Sequence, residues 1–447
     1  MEDFLRNAGE QALELARRKG VEAEAFLLHS RELSAEVIDG KVETLKEAEE
    51  AGMGLRVINQ GKLGFVFTSD LSYQAIAKVV EDAISISHYT EADPYNCLPW
   101  GKYEYPVLEV YDPSIPGTSL EAKIEMAREV ERIALSTDSR ISIIERAGYE
   151  DSEFTSVIMN TNGVYTSGKG NFCGIYIFLV AQEDGDAQNG FSVMVRKNYK
   201  TLNPDFTGRE AANNAVRALN ARRISSAHLP CVMEPYVATL FLSLLAQMVD
   251  AQMVQKGKSL FAGKLQEVVA SPVVNLIDDA TWDGGIGTFP FDGEGVPARK
   301  NTVISDGVLI GYLYDCYTAS KAGLESTGNG QRGSFRGLPS VGTSNFILQA
   351  GSKSAQDLFG DIEKGLYITE VMGMHTANPI SGDFSVGAAG IMIENGKLTY
   401  PVRGATIAGN LGDFFKDIES VGNDLRFFGG KAAPSIRIKS LSIAGDL

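Results

Sequence analysis

The sequence predicts an α+β protein. Apolar runs of strand length follow one another with only a few helical repeats between them, which is not the strand–helix alternation of a parallel α/β fold. Hairpin signals at Asp39-Gly40, Thr161-Asn162-Gly163, Ser305-Asp306-Gly307 and Glu394-Asn395-Gly396 join runs with apolar flanks, as in antiparallel sheet. The length of 447 residues exceeds that of one ordinary domain, at about 150 residues each. Hydrophobic residues make up 44% and charged residues 22%, as in soluble globular chains. With 47 Gly and 15 Pro, low complexity and collagen-like repeats are excluded.

Residues 2–19 place Phe4, Leu5, Ala8, Ala12, Leu15 and Ala16 at helical spacing, and Gly20 stops the helix. The runs Ala25–Leu28, Ala35–Ile38, Gly54–Ile58 and Leu63–Phe67 read as a meandering antiparallel sheet. A second helix is expected over 71–87. Pro94, Pro99, Pro106, Pro113 and Pro116 make 89–117 a connector that cannot be a regular helix. A helix over 119–135 follows, then strands over 142–150, 153–159, 175–180 and 191–195, and a helix over 208–223. The texture changes near 223–228, which divides the chain into an N-terminal α+β domain (1–223) and a β-rich domain (224–447). The second domain opens with an apolar helix over 235–255. Strands are expected over 273–277, 301–304, 309–313, 345–348, 366–371, 390–393 and 435–443, with a helix over 317–324.

Charge and cysteine content narrow the function. A formal net charge of −16 repels phosphate backbones and anionic membranes, so direct nucleic-acid binding is not expected. Met1-Glu2-Asp3-Phe4 lacks the basic start of a signal peptide, and the apolar stretch 237–249 is too short to span a bilayer. The widely spaced cysteines at 97, 173, 231 and 316 fit reduced thiols in the cytoplasm.

Local motifs are few. His29, His88, His228 and His375 are far apart and none is followed by Glu, so no local metal motif exists. Gly328-Asn329-Gly330-Gln331-Arg332-Gly333 matches GxGxxG, but a helix is expected before it and Gly337, Pro339 and Gly342 prevent one after it. A loop of close backbone approach is the better reading. Gly163–Lys169 lacks the Ser or Thr that ends a phosphate-binding loop, and the sequence around Gly257-Lys258-Ser259 lacks its first glycine. Asp278, Asp279, Asp283, Asp292 and Glu294 read as a solvated acidic loop. Cys316 is expected to pack rather than to act as a nucleophile, since nothing in the sequence depresses its pKa.

Five segments of the C-terminal half carry a resemblance: Ser326-Thr327-Gly328-Asn329-Gly330, Ile380-Ser381-Gly382-Asp383-Phe384, Ile393-Glu394-Asn395-Gly396, Thr406-Ile407-Ala408-Gly409-Asn410 and Val421-Gly422-Asn423-Asp424. In this order and spacing they resemble the TldD/PmbA family, once called modulators of DNA gyrase. The likeness is continuous over 228–447 and looser over 1–225. TldD-type members of that family carry HExxxH on a helix and a distant cysteine, which together form a zinc site. Counting back from Gly257-Lys258-Ser259-Leu260-Phe261-Ala262-Gly263, that motif falls on 242–247, where Leu242, Ser243 and Gln247 replace its His, Glu and His. The distant cysteine is missing as well, because Cys316 is the last in the chain.

The resemblance therefore implies the TldE/PmbA branch. Such a chain has no catalytic residue, metal or cofactor of its own. It is expected to be a cytoplasmic partner of a TldD-type zinc peptidase subunit acting on unfolded proteins or peptides. Gly328, Asn329, Gly330, Ser381, Gly382 and Asp383 are the expected substrate-binding positions, through close backbone approach. Two alternatives stand beside this: a non-catalytic homodimeric binding or regulatory protein, and an enzyme with a non-metal site at Cys316.

Overall fold

The computed structural model describes residues 1–445. Its first half is built on one antiparallel sheet. The strands are β1 (Glu22–Ile38), β2 (Lys41–Asn59), β3 (Lys62–Thr68), β4 (Ile141–Asn160), β5 (Tyr165–Glu183) and β6 (Asp186–Arg196), in the order β3-β2-β1-β4-β5-β6. The Pro-rich connector runs between β3 and β4 in sequence, yet β1 pairs with β4. Strands from both sides of the connector thus share one sheet.

Two pairs of expected strands are single long ones. Ala25–Leu28 and Ala35–Ile38 both belong to the 17-residue β1, while 142–150 and 153–159 merge into the 20-residue β4. Apolar alternation breaks between the members of each pair. The backbone of Ser30–Ser34 nevertheless pairs with Glu50–Lys46 on one side and with Phe154–Glu150 on the other. A strand held on both edges needs no apolar side chains to continue.

Helices α1 (Glu2–Arg18) and α2 (Tyr73–Ser87) cover one region of this sheet, where Leu5, Leu13, Ile76 and Val80 pack on Leu27, Met53, Leu55 and Val157. The turn α3 (Ser114–Gly117), then α4 (Leu120–Thr137) and α5 (Pro204–Arg217), accompany a second core around Ala127, Val130, Ile175, Ile177 and Ala211. Gly208 was expected to begin the fourth helix. Instead Asn203 caps α5, and Gly208 lies inside it, where a Cβ would sit 2.7 Å from the Val130 carbonyl oxygen. The glycine is spent on helix–helix approach rather than on starting the helix.

The second half opens with β7 (Ala227–Met233) and α6 (Pro235–Met248). The expected single helix to 255 is broken, because the Asp250 carboxylate accepts from the N–H groups of Gln252 and Met253 and starts α7 (Ala251–Gln255). Then follow β8 (Leu276–Asp279), β9 (Lys300–Ser305), β10 (Val308–Leu309), α8 (Cys316–Ala322), β11 (Gly330–Gln331), β12 (Ser340–Val341), β13 (Phe346–Leu348), α9 (Ala355–Phe359) and β14 (Lys364–Met372). The chain continues through β15 (Asp383–Glu394), β16 (Lys397–Asn410), α10 (Leu411–Lys416), β17 (Ile418–Val421), β18 (Arg426–Phe428), β19 (Lys431–Ala433) and β20 (Ile436–Ala444). The strand expected over 309–313 shrinks to β10, since Ile310 and Gly311 turn their N–H groups back to the Val303 carbonyl.

One sheet has the order β16-β15-β14-β7-β20-β17, and β16 also pairs with β20, which closes five of these strands into a ring. The β14–β7 pair is parallel and the other pairs of this sheet are antiparallel. A second sheet runs β10-β9-β8-β13-β19-β18. Helix α6 joins the core of this half, with Phe241 stacked on Phe414 at 4.3 Å and 11°. The fold is α+β, as the sequence predicts. No helix among the described residues is long and apolar enough to cross a membrane.

Phe241 is 1% exposed. Phe241→Ala is expected to lower stability by about 3–5 kcal/mol, read as a lower urea midpoint. A loss below about 1 kcal/mol would show that α6 is not part of this core.

Candidate functional site

The stretch 242–247, where the resemblance leads one to expect the metal motif, lies on α6. Leu242 points into apolar surroundings made by Ala238, Phe241, Leu245, Val274, Phe414 and Ile418. Ser243 Oγ donates to the Thr239 carbonyl one turn earlier (3.1 Å). Gln247 faces solvent. A zinc ion needs three or four N, S or O donors converging at about 2.0–2.3 Å. Leu242 has no lone pair, the Ser243 hydroxyl is engaged with its own helix, and Gln247 lies on another side. These residues do not fit the ion. Among the described residues no three His, Cys, Asp or Glu side chains come together in a way that could hold one.

The six expected substrate-binding positions separate into two places. Asn329 is fully buried and its side chain is saturated. Its amide donates to Asp278 Oδ2 (2.7 Å) and to the Gly342 carbonyl (2.9 Å), and its oxygen accepts from Thr327 Oγ1 (2.7 Å) and Asn301 Nδ2 (3.2 Å). Gly330 donates its N–H to Asp292 Oδ2 (2.8 Å), and a Cβ there would lie 2.7 Å from Glu294 Oε2. Gly328 has φ +75° beside the Pro297 carbonyl, and it lines a cavity described below. Ser381, Gly382 and Asp383 form a separate segment leading into β15, with Ser381 and Asp383 exposed and Gly382 buried, held by Asn410, whose amide donates to the Ser381 carbonyl (2.9 Å) and to Asp383 Oδ1 (3.0 Å).

Of the five acids expected to form a solvated loop, Asp283 is exposed and the other four are not. Asp278 and Glu294 are 1% and 0% exposed, and Asp279 and Asp292 are also buried. Asp278 accepts from Asn329 and from the N–H and hydroxyl of Ser344, yet burial outweighs these bonds and pushes its carboxyl up to about 6. Burial, with Glu294 beside it, also raises Asp292. Local composition cannot report burial of this kind, because it arises when distant segments fold over the loop.

Glu294 belongs to a buried charge cluster that ties the two halves together. Arg56 Nη2 on β2 donates to Glu24 Oε2 on β1 and to Glu294 Oε1, each at 2.9 Å. Arg332 pairs with the other oxygen of Glu24. Nearby, Phe335 is buried over β2, where a Cβ at Gly52 or Gly54 would come within 2.3 Å of it. Sequence reading missed Glu24, Arg56, Arg332 and Phe335. The available signal was a Glu and an Arg set within apolar strand runs.

Cys316 donates its backbone N–H to Glu294 Oε2 (2.7 Å). Burial first, and then Glu294 and Asp292, push its thiol well above the usual range. Such a thiol stays protonated at neutral pH, which argues against the nucleophile reading.

Two cavities lie where the halves meet. The larger, about 530 Å³, sits between β6, α5 and the ring of strands. Tyr236 at the start of α6 stands there between Phe191 (5.0 Å) and Phe428 (5.2 Å). Arg217 pairs with Glu234 (2.6 and 2.9 Å) and Arg426 with Glu210 (3.1 Å), so these two arginines are already partnered. The smaller, about 350 Å³, lies between the first sheet and the loops 286–293 and 328–333.

Family models match three stretches: the PmbA/TldA metallopeptidase domain 1 over 23–87, the central domain over 113–219 and the C-terminal domain over 226–445. A crystal structure from Thermotoga maritima, named for modulation of a DNA gyrase, superposes with a TM-score of 0.92 at 30% identity over 98% of this chain and 100% of that one. The chain belongs to the PmbA/TldD family. A second family member, Metalloprotease PmbA of Escherichia coli O157:H7, is 28% identical over 99% of this chain and 96% of its own length. TldE from Thermococcus kodakarensis shares the fold, with a TM-score of 0.91 at 23% identity.

Two outcomes test these buried charges. Arg56→Met strands Glu24 beside a single cation and leaves Glu294 buried without one, so a loss of about 3–5 kcal/mol is expected on thermal or urea unfolding. Asp278 titrates higher folded than unfolded, so the folded state binds the extra proton between about pH 4 and 6 and the carboxylate opposes folding above that window. Asp278→Asn is therefore expected to remove a fall in stability as pH rises across that window; an unchanged pH slope counts against the assignment.

Proposed function

We propose that this chain is the metal-free, TldE-type subunit of a cytoplasmic TldD–TldE peptidase acting on unfolded proteins or peptides. The observation that carries this reading is the chemistry of α6, which offers leucine, a self-bonded serine and a solvent-facing glutamine where the catalytic branch needs zinc donors. Membership of a metallopeptidase family supplies the reaction class. The zinc of a TldD-type partner supplies the Lewis acid and the activated water. This chain completes the chamber and holds the substrate.

Substrate recognition in this reading is by backbone. An extended peptide presents N–H and C=O groups common to all sequences, and glycines let main chains approach. The Gly328–Gly330 and Ser381–Asp383 segments are the proposed contacts. Asn329 serves there by shaping the loop, since its side-chain bonds are all used internally.

The purified chain is expected to carry far less than one zinc per molecule by elemental analysis and to leave peptides uncut. Adding a TldD-type protein is expected to give co-elution on gel filtration together with hydrolysis. Stoichiometric zinc or hydrolysis by the chain alone would overturn the proposal. Failure to co-elute would favour the homodimeric regulatory reading instead.

A further inference from the structure

Apart from Gly328, the smaller cavity is lined by side chains that the peptidase reading does not use. Its floor is one face of the first sheet, where period-two alternation sends Phe26, Leu28 and Ser30 of β1 and Ile158, Ser156 and Phe154 of β4 to the same side in direct register. The opposite side, with Leu27 and Val157, is consumed by the α1–α2 core. The roof is aromatic: Phe289 lies 5.3 Å from Phe154 and 4.8 Å from Phe291. At about 350 Å³ the space is within the usual range of small-molecule pockets, roughly 300–1,000 Å³.

Two cations line this apolar space. Lys197, at the end of β6, donates to the Thr288 carbonyl. Among the described residues no carboxylate pairs with it, and burial alone lowers its pKa to about 8. Arg332 has a fully buried side chain whose one carboxylate partner is Glu24, and its Nε and Nη1 have no hydrogen-bond partner. Two acids also line the cavity. Asp292 is committed to the N–H groups of Glu294, Val296 and Gly330, and Glu32 is exposed. A half-buried ammonium with no carboxylate partner and a buried, under-bonded guanidinium beside aromatic rings are costly unless an anion arrives.

We infer that this cavity binds a carboxylate with an apolar or aromatic body, the carboxylate toward Lys197 and Arg332 and the body between Phe154, Phe289 and Phe291. The ligand comes either as a free small acid or as the C-terminal end of a peptide. Strand β1 is paired along its length with both β2 and β4, so an extended peptide cannot add to the sheet there, and only a chain end fits. The inference does not depend on the peptidase proposal.

Calorimetric titration of the full chain alone, with no partner and no hydrolysis to read, tests it. 3-Phenylpropionate is expected to bind at least tenfold more tightly than 3-phenylpropionamide. Lys197→Gln is expected to remove that preference, while Lys197→Arg keeps the charge and is expected to retain it. Phe289→Ser is expected to weaken the acid at least tenfold, and Glu370→Gln in the larger cavity to leave it unchanged. N-acetyl-Ala-Phe against its C-terminal amide separates the sources: binding of the free-acid dipeptide identifies a peptide end, and binding of 3-phenylpropionate alone identifies a small acid. Equal affinity for acid and amide, an unaltered preference in Lys197→Gln, or no binding of either acid would overturn the inference.

Discussion

The arrangement of this protein depends on the buried cluster of Glu24, Arg56, Glu294 and Arg332. Two arginines and two glutamates are withdrawn from water between the first sheet and the loops of the second half. Desolvating four charges is costly, and their attraction offsets that cost only when the geometry is good. A cluster of this kind adds little net stability, but it penalises any misplacement heavily. It therefore sets the position of the Gly293–Val296 and Gly330–Arg332 segments against β1 and β2, and the smaller cavity opens along that junction.

Glycine and buried acids cooperate in the same region. Asp292 gathers three backbone N–H groups, and Gly330 is small enough to lie against Glu294. The loop is shaped by main-chain bonds rather than by side chains reaching outward. That arrangement suits a surface that meets a polypeptide without regard to its sequence. It also explains why Asn329 matters without being presented: its four bonds fix the loop from inside.

In the proposed function the zinc question turns on one helix. In α6 the apolar repeat runs unbroken through Val237, Phe241, Leu244, Leu245 and Met248 into the core, and Leu242 joins it. Polar residues at position 242 would have to be buried there, so the leucine serves packing where a sister protein needs a ligand. The resulting chain keeps a peptidase scaffold while its own helix lacks the donors for the metal.

Several features were legible in the sequence because they are local. Hairpin turns, helix periodicity and the proline-rich connector each rest on a few consecutive residues, and the absence of metal-donor side chains at Leu242 and Ser243 is read directly from their identity. The strand ends and the interior place of Gly208 were not legible, because neighbouring segments decide them; the break at Asp250 is a local aspartate cap that apolar periodicity alone does not report. Neither were the burial of Asp278 and Glu294, the split of Gly328–Gly330 from Ser381–Asp383, or the placing of Lys197 and Arg332 on one cavity. These depend on which distant segments fold together. A side chain's solvation, and with it its charge and chemistry, is set by neighbours that one-dimensional spacing does not record.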